Sequence, residues 1–477
     1  MKYLFRKLVL IGIALLVNAC ARMSPEATYV AVAPFQRLSE GEVSDYVTHA
    51  VPASVGARLS GIDSLGVVTL GDGDPVELGV ERILQGSVSV SQDEVVRVTV
   101  QLYDPAQRAS TWGPKVYEQP RSEVFRLEST IAREVANALE IDIRPAEALR
   151  LERQPTENGV AYELYMRALY LLHTFAAAPA SVQAEMLLRQ SLVHDPDFAL
   201  AYTGLAVLYM GAGRTEDAES AASRALALNP DEAEAHWVMG WLHEERREWS
   251  DAEAAFAAGV RLSPSSSTLL ARYARIVSWF GRFEEAQAIM MRALRVDPRS
   301  WVRHMYAANV ARMARDFRQS IALQDKMVEL EPLSANRADV TMLRLLSYVG
   351  SGDCRLALAV AGEQTESARL FAETSSIVTY VYGRCGERAL AMDDLGRLKT
   401  MLAEDAAPAA PLRNWYLTLA YLGVGDDERA LAALKRSFDE GVTGPPIPLA
   451  PVDPFWDPVR DDARFIALAE RLDLPTD

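Results

Sequence analysis

The sequence predicts an α/β amino-terminal domain, a small mixed sheet with flanking helices, followed by an all-α superhelical solenoid. The solenoid is indicated by prolines that recur every 34 residues in the middle of the chain. Proline interrupts helices, and this period accommodates two antiparallel helices with their turns. The sheet is indicated by β-rich segments that precede residue 121. The periodic prolines are Pro196, Pro230, Pro264, Pro298 and Pro332.

Small residues recur in register with these prolines. The positions 12 residues before them, where two helices must approach closely, hold Ala184, Ala218, Ala252, Ala286 and Ser320. The positions 17 residues before them, which suit the turn between the helices, hold Gly213, Arg247, Gly281 and Arg315. Each repeat is therefore predicted to be a helix pair with a close helix crossing and a tight turn.

The repeats resemble the tetratricopeptide repeat (TPR) family, in which first helices line the inner wall of a superhelix. The family pattern is matched by Tyr202, Leu205, Tyr209, Ala218, Ala222, Ala225 and Pro230. We expect a solenoid over residues 160–440. It is expected to have clear repeats at about 165–334, degenerate repeats at about 338–400 and a clear repeat again at about 411–440.

Residues 28–145 are predicted to form the α/β domain. Its segments VAVAPF, GVERILQGSV, RVTVQLYD and EVFRLESTIAREVANAL are similar to the TolB-type amino-terminal domain that often precedes TPRs in bacterial envelope and signalling proteins. Pro52, which is expected to disturb the first helix, and a short segment before Gly79 depart from the family. The resemblance leaves open whether this domain binds a small ligand, and we expect no upstream cyclase or DNA-binding domain.

Residues 1–20 have the layout of a secretory signal, with basic residues before an apolar run from Leu8 to Val17. This run is shorter than the roughly 20 residues that span a bilayer. Its end resembles the bacterial lipoprotein box, which implies cleavage before Cys20 and lipidation of that cysteine. By the same resemblance, Ala21 implies the outer membrane. The alternatives are an ordinary signal cut after Ala21 and an uncleaved anchor.

Charge and cysteine content bound the partners and the compartment. The formal net charge of −16 repels phosphate backbones, so nucleic acid is not expected as a partner. If Cys20 is lipidated, Cys354 and Cys385 remain as an even pair in an oxidising compartment. They form either a disulfide or two separate buried thiols.

Two further segments flank the solenoid. Residues 146–159 are expected to be a charged linker. Residues 441–477 are expected to contain a proline-rich strap followed by a capping helix. Such a strap is either an interaction motif or a cover for the apolar face of the last repeat.

The sequence contains no Walker-type phosphate loop, GxSxG elbow, CxxC or HExxH motif. His236 and His243 are two helical turns apart, but both occupy packing positions of the repeat. A third metal ligand is not evident. We therefore expect no enzymatic activity, no cofactor and no metal site.

The inner wall of the repeats supplies the candidate binding residues. Aromatic and arginine side chains dominate binding hot spots, so this wall is expected to grip an apolar and acidic segment of a protein or peptide. The alternative is that its tryptophans pack between neighbouring repeats. The candidate groove residues are Trp237, Trp241, Glu244, Arg275, Met305, Asn309 and Arg312.

These observations favour a non-enzymatic, lipid-anchored scaffold or assembly factor of the cell envelope, on the outer membrane and facing the periplasm. A soluble periplasmic location is the alternative. A second functional hypothesis is a sensor or regulatory subunit whose TolB-like domain binds a small ligand. A remote third is an envelope hydrolase whose catalytic groups are distant in sequence.

Overall fold

A computed structural model of the protein describes residues 27–39, 42–71, 73–174, 178–364, 371–403, 412–440, 451–472 and 474. The chain divides into two compact units: Met1–Tyr273 with Met291–Arg299, and Ala274–Met290 with Ser300–Asp477. We call these unit 1 and unit 2. The signal segment, with Cys20, lies outside the described residues, and the predicted domain limits stay a prediction. Among the described helices, none is long and apolar enough to cross a membrane.

The described part of unit 1 contains a six-stranded mixed sheet. Its strands are β1 (Thr28–Val32), β2 (Gln36–Arg37), β3 (Leu65–Val68), β4 (Arg82–Val90), β5 (Val95–Asp104) and β6 (Ala109–Pro120). The order is β3-β1-β4-β5-β6, and β2 also pairs with β4. Strand β1 is parallel to both neighbours, with Val30 opposite Val67 and Ala31 opposite Ile83, whereas β4, β5 and β6 are antiparallel. The predicted α/β class with a small mixed sheet is therefore confirmed.

Three helices flank the sheet and lead into the repeats: α1 (Glu42–Leu59), α2 (Val124–Ala138) and α3 (Pro145–Glu152). Helix α1 continues through Pro52, although we expected a disturbance there. Val51, Val55 and Leu59 of α1 are fully buried. Tertiary burial of this face offsets the hydrogen bond that proline cannot donate.

Helix α3 occupies part of the segment that we predicted as a linker. Pro145 opens the helix, where its missing N–H is tolerated. The Glu147 carboxylate accepts hydrogen bonds from the backbone N–H of Arg144 at 2.9 Å and of Asp63 at 3.1 Å. Leu151 is buried. Packing against the domain thus orders a segment whose composition indicates a linker.

The remaining described helices follow one another in pairs, apart from a single helix at the end. Unit 1 contains α4 (Gly159–Thr174), α5 (Ala178–His194), α6 (Ala199–Gly211), α7 (Thr215–Leu228), α8 (Ala233–Glu245) and α9 (Trp249–Leu262). The boundary between the units passes through α10 (Ser267–Trp279) and α11 (Phe283–Val296). Unit 2 contains α12 (Trp301–Met313), α13 (Phe317–Leu330), α14 (Ala338–Ser351), α15 (Cys354–Glu363), α16 (Ala372–Arg384), α17 (Arg388–Ala403), α18 (Arg413–Val424), α19 (Asp427–Asp439) and α20 (Ala463–Glu470).

The residues that set the repeat period have the predicted roles. All five small residues at the helix crossings are fully buried. These residues are Ala184, Ala218, Ala252, Ala286 and Ser320. The four turn residues all have positive φ angles. The angles are 71° for Gly213, 61° for Arg247, 80° for Gly281 and 63° for Arg315. A left-handed residue lets the chain reverse between two helices within a few residues. The helical solenoid prediction is therefore confirmed.

Within unit 1 the sheet packs directly on the helical repeats. The Ser265 hydroxyl donates to the carbonyl of Leu65 at 2.8 Å, and the N–H of Thr69 donates to the carbonyl of Val296 at 2.8 Å. The guanidinium of Arg295 lies 4.3 Å from the ring centroid of Tyr29. The sheet thus shares one compact body with the repeat residues around Ser265 and Val296.

Unit 2 has a disulfide and a terminal cap. Cys354, at the start of α15, is bonded to Cys385, which follows α16. The bond joins two successive degenerate helix pairs. Helix α20 packs on α19 through the buried side chains of Phe465 and Leu468, so it covers the apolar face of the last repeat.

Candidate functional site

The described part of the tail that lies against the first helices of unit 2 is residues 451–460, which we call the strap. Asp453 is 0% exposed and Arg312, on α12, is 1% exposed. The two Asp453 carboxylate oxygens accept hydrogen bonds from the two terminal nitrogens of Arg312 at 2.7 and 2.6 Å. A bidentate pair in a buried site is strong and geometrically specific.

The strap builds its own local structure around Asp453. The carboxylate also accepts the backbone N–H of Phe455 at 2.8 Å, which caps a 3₁₀ turn over Pro454–Trp456. Arg460 donates to the carbonyl of Asp453 at 2.6 Å and to the carbonyl of Pro451. These bonds close the strap on itself, so that it presents two adjacent aromatic rings to the repeats.

The two rings enter a buried aromatic cluster. The centroid of Phe455 lies 4.9 Å from that of Tyr380 on α16, and the centroid of Trp456 lies 6.0 Å from that of Trp415 on α18. Trp456 also lies 5.1 Å from Phe465 of α20. The turn contacts α14 as well. The strap therefore runs along the first helices of successive repeats, α12, α14, α16 and α18.

A second ion pair holds the strap at the surface. Arg315, at the left-handed turn after α12, donates two hydrogen bonds of 2.6 Å to Asp457. Both side chains are about half exposed. Burial by itself would raise the pKa of Asp457, but hydrogen bonds from Arg315 and Arg460 bring it below its ordinary value.

The structure changes the expected role of the predicted groove residues in unit 2. Arg312, which we predicted as a groove residue on the inner wall, is buried against Asp453. A guanidinium so deeply enclosed requires a counter-charge. The amide oxygen of Asn309 accepts a hydrogen bond from Arg312 at 3.0 Å and orients it. Arg275 is buried and lies over the Trp279 ring at 4.8 Å. Met305 is half-buried.

The other predicted groove residues belong to α8 in unit 1. Trp237 and Trp241 are half-buried and pack against the main hydrophobic cluster of that unit. Glu244 is buried. Because these tryptophans keep exposed surface and also pack, both alternatives considered from the sequence stay open. Their partner-binding role stays a prediction.

Unit 1 also contains a cavity of about 710 Å³ at the carboxyl ends of the parallel strands β1 and β3. Its walls come from residues 32–35 at the end of β1 and just after it, from α1, and from residues 67–71 at the end of β3 and just after it. Most lining side chains are apolar, and Arg37, Thr48 and His49 supply polar groups. Crevices at this edge of parallel strands commonly bind small ligands.

A buried carboxyl group lies between α1, α2 and α4. Glu128 is 0% exposed and accepts hydrogen bonds from the hydroxyl of Ser54 at 2.5 Å and from that of Tyr162. Burial raises the pKa of Glu128 to about 7, against the opposing effects of Arg58 and the two hydroxyl groups. Sequence inspection missed this site because its members are up to 108 residues apart.

His236 and His243, the two histidines considered as a metal pair, make separate contacts. The ring of His236 bonds with the carbonyl of Pro230 at 2.9 Å. His243 instead meets Glu248 at 2.6 Å, and Asp251 completes a group whose ligand atoms lie within 4.8 Å of one another. Both carboxylates are exposed. Exposed acidic clusters of this kind need no ion, and we assign no metal to it.

The comparisons with known proteins agree with the repeat architecture. Residues 203–267 match the tetratricopeptide repeat family model. The protein therefore contains TPRs, a repeat class that presents extended binding surfaces.

One relative is similar to this chain over part of its length. The chain is 24% identical over 196 residues to a protein of Rhizobium meliloti (strain 1021) that is provisionally named adenylate cyclase 3. The match covers 39% of this chain and 33% of that protein. This chain therefore spans about a third of the length of the relative.

Solved structures with similar helical repeats are distant. The pilF protein of Pseudomonas aeruginosa is 16% identical with a TM-score of 0.38, covering 45% of this chain and 95% of that one. A tetratricopeptide repeat protein of Parabacteroides merdae ATCC 43184 is 15% identical with a TM-score of 0.40, covering 55% and 98%.

Proposed function

We propose that this protein is a non-enzymatic scaffold or assembly factor of the cell envelope. In this proposal, lipid on Cys20 anchors it to the outer membrane, and its TPRs, facing the periplasm, bind an extended segment of a protein partner. No cofactor takes part in this role.

The observation that carries the proposal is the strap on the first helices of unit 2. An extended segment with a carboxylate and two aromatic rings is held there by a bidentate ion pair and ring contacts. First helices form the surface on which repeat proteins bind peptides. This surface in unit 2 therefore has the chemistry to bind an acidic and aromatic segment.

The envelope location is supported by independent features. A disulfide between Cys354 and Cys385 suits an oxidising compartment. The signal layout of residues 1–20 and the lipoprotein-like end at Cys20 suit export and anchoring. Replacing Cys20 by serine is the direct test: the protein should move from the membrane to the soluble fraction. An unchanged membrane fraction would contradict the lipid anchor.

Partner binding is tested by in-cell crosslinking followed by purification from envelope fractions. The wild type is compared with the double variant Trp237→Ala, Trp241→Ala, which alters the first-helix wall of unit 1. Trp249→Ala, at the start of the second helix α9, is the matched control. A partner captured by wild type and control but lost in the double variant, with melting unchanged, supports the proposal. Absence of any specific partner under all conditions opposes it.

A second function, small-ligand sensing by the α/β domain, is favoured by the cavity of about 710 Å³. A ligand that binds there would raise the melting temperature by mass action. Ala53 lines the cavity, so Ala53→Trp should abolish the shift, whereas Ala57→Trp, on the same helix but outside the lining, should retain it. If envelope metabolites produce no shift in the wild type, sensing is not supported.

A further inference from the structure

We propose that the strap is a displaceable occupant of unit 2, and that the protein's partner carries a carboxylate followed closely by two aromatic rings that take the strap's place. This inference rests on the proposed function and specifies its partner. The strap would thereby keep the surface closed until a competing segment is present.

The buried arginine defines the first requirement of any occupant. Arg312 is 1% exposed and directs two N–H groups at a carboxylate, while Asn309 accepts one of its remaining hydrogens. A buried guanidinium without a counter-charge is strongly unfavourable. A segment that displaces Asp453 must therefore bring a carboxylate of its own, with both oxygens within hydrogen-bonding distance.

The aromatic cluster defines the second requirement. Tyr380 and Trp415 lie on successive first helices, and each contacts one ring of the strap. Both are almost fully buried while the strap is bound. An occupant that supplies two adjacent rings covers both side chains, whereas one that supplies a single ring leaves one of them facing water.

The strap has the properties of a separable ligand. Several of its hydrogen bonds lie within the segment. Arg460 donates to the carbonyls of Pro451 and Asp453, and the backbone N–H of Phe455 donates to the Asp453 carboxylate. A short peptide of the same sequence carries the same bonds and is thus partly preorganised for binding. Helix α20, which caps the last repeat, contacts the strap through Phe465, but the buried Leu468 and the pair between Arg471 and Asp439 hold it from outside the strap.

The experiment measures binding of a labelled peptide, residues 450–461 (APVDPFWDPVRD), to the full chain by fluorescence anisotropy. In the wild type the tethered strap competes at a high effective concentration. In the variant Asp453→Ala the strap is weakened while Arg312 is kept, and the peptide should bind at least about tenfold more tightly than to wild type. Adding Arg312→Met should abolish this gain.

The peptide itself provides the matched control. A peptide with asparagine in place of the aspartate at 453 should lose at least about tenfold in affinity for the Asp453→Ala chain. A folded Asp453→Ala chain that does not bind the peptide would overturn the inference, as would equal binding of the asparagine peptide. Dimerisation of the wild-type chain by strap exchange would also contradict the inference, because the occupant would then be a second copy of this chain and not a different protein.

A crosslinked variant keeps the test decisive if Asp453→Ala fails to fold. A Cβ placed on Gly281 lies 3.7 Å from a Cγ of Val452, which brings cysteines at these two positions close enough to test as a crosslink that locks the strap in place. Because Gly281 has a φ of 80°, a cysteine there strains the turn, and Gly281→Cys alone is the control for that strain. The oxidised chain should bind no peptide and the reduced chain should bind it, with the wild type under the same reductant as control. Equal binding by both forms would overturn the inference.

The outcomes separate this inference from the proposed function. If the peptide fails to bind but an envelope partner is still captured through Trp237 and Trp241, the strap is a permanent cap and only this inference is lost. If the peptide binds in competition with the strap but no envelope partner is found, the proposed cellular role is lost instead.

Discussion

Replacing Glu128 by glutamine is expected to stabilise the protein at alkaline pH. The carboxyl group is fully buried between α1, α2 and α4 and receives hydrogen bonds from Ser54 and Tyr162. Glutamine preserves the shape and an acceptor oxygen but cannot ionise. The variant therefore removes the cost of a buried negative charge while largely retaining the packing.

The magnitude follows from the pKa of Glu128, which burial raises from 4.5 to about 7. Each pKa unit corresponds to about 1.4 kcal/mol, so the cost of ionising Glu128 in the folded protein reaches about 3 kcal/mol. The pKa of Glu128 is higher in the folded than in the unfolded protein. The stabilising contribution of the neutral Glu128 carboxyl is therefore fully present below pH 4.5. It is lost as the pH rises through about 7.

The assay is denaturant unfolding of the wild type and Glu128→Gln between pH 4.5 and 8.5. The two proteins should have similar stability at the acidic end, and the variant should be more stable by up to about 3 kcal/mol at the alkaline end. Glu134→Gln, on the same helix, is the control. A hydrogen bond from Lys115 lowers the pKa of Glu134 from 4.5, so its contribution is fully present above pH 4.5 and is lost only below the assay range. The stability difference between Glu134→Gln and the wild type should therefore stay constant across the assay.

A variant that is less stable than wild type by the same amount at every pH would refute this reasoning. It would mean that Glu128 is ionised in the folded protein and that Arg58 compensates its charge. A pH dependence of Glu134→Gln with the same sign as that of Glu128→Gln would show that the assay reports a general charge effect rather than burial.

Three further predictions test the repeats. Replacing Cys354 and Cys385 by alanine removes a crosslink between residues 31 apart and should cost roughly 3–4 kcal/mol in urea unfolding, and an unchanged midpoint would contradict this. In Gly240→Ala the new Cβ would lie 2.8 Å from a buried phenylalanine ring. It should cost roughly 1–3 kcal/mol, whereas Gly211→Ala, with open space around it, should cost nothing. Arg247 has a φ of 61°, so Arg247→Gly should raise stability by up to about 1 kcal/mol, and a lower melting temperature would show that its side-chain contacts outweigh the strain.

The repeat architecture was predictable because its determinants are local and recur. Each proline, crossing residue and turn residue acts within one helix pair, and the same offsets appear several times along the chain. Even the arginines at the turn, Arg247 and Arg315, take the left-handed conformation of the glycines at the equivalent positions.

The candidate site was only partly predictable. Position within the repeat singled out Arg312, and the composition of the tail indicated a strap. Arg312 and Asp453, however, are 141 residues apart, and nothing local relates them. The sequence does not show which segment of the same chain lies against Arg312.

The sequence alone thus determined the class of each described part of the protein: a mixed sheet with helices, followed by TPRs and a cap. These features follow from periodicity and local turn chemistry, which a linear chain displays directly. Only the tertiary structure decided which charges are buried together and which surfaces are already occupied. Burial of Glu128 and pairing of Arg312 with Asp453 depend on residues brought together by packing, and the physical consequences of burial exist only once that packing has formed.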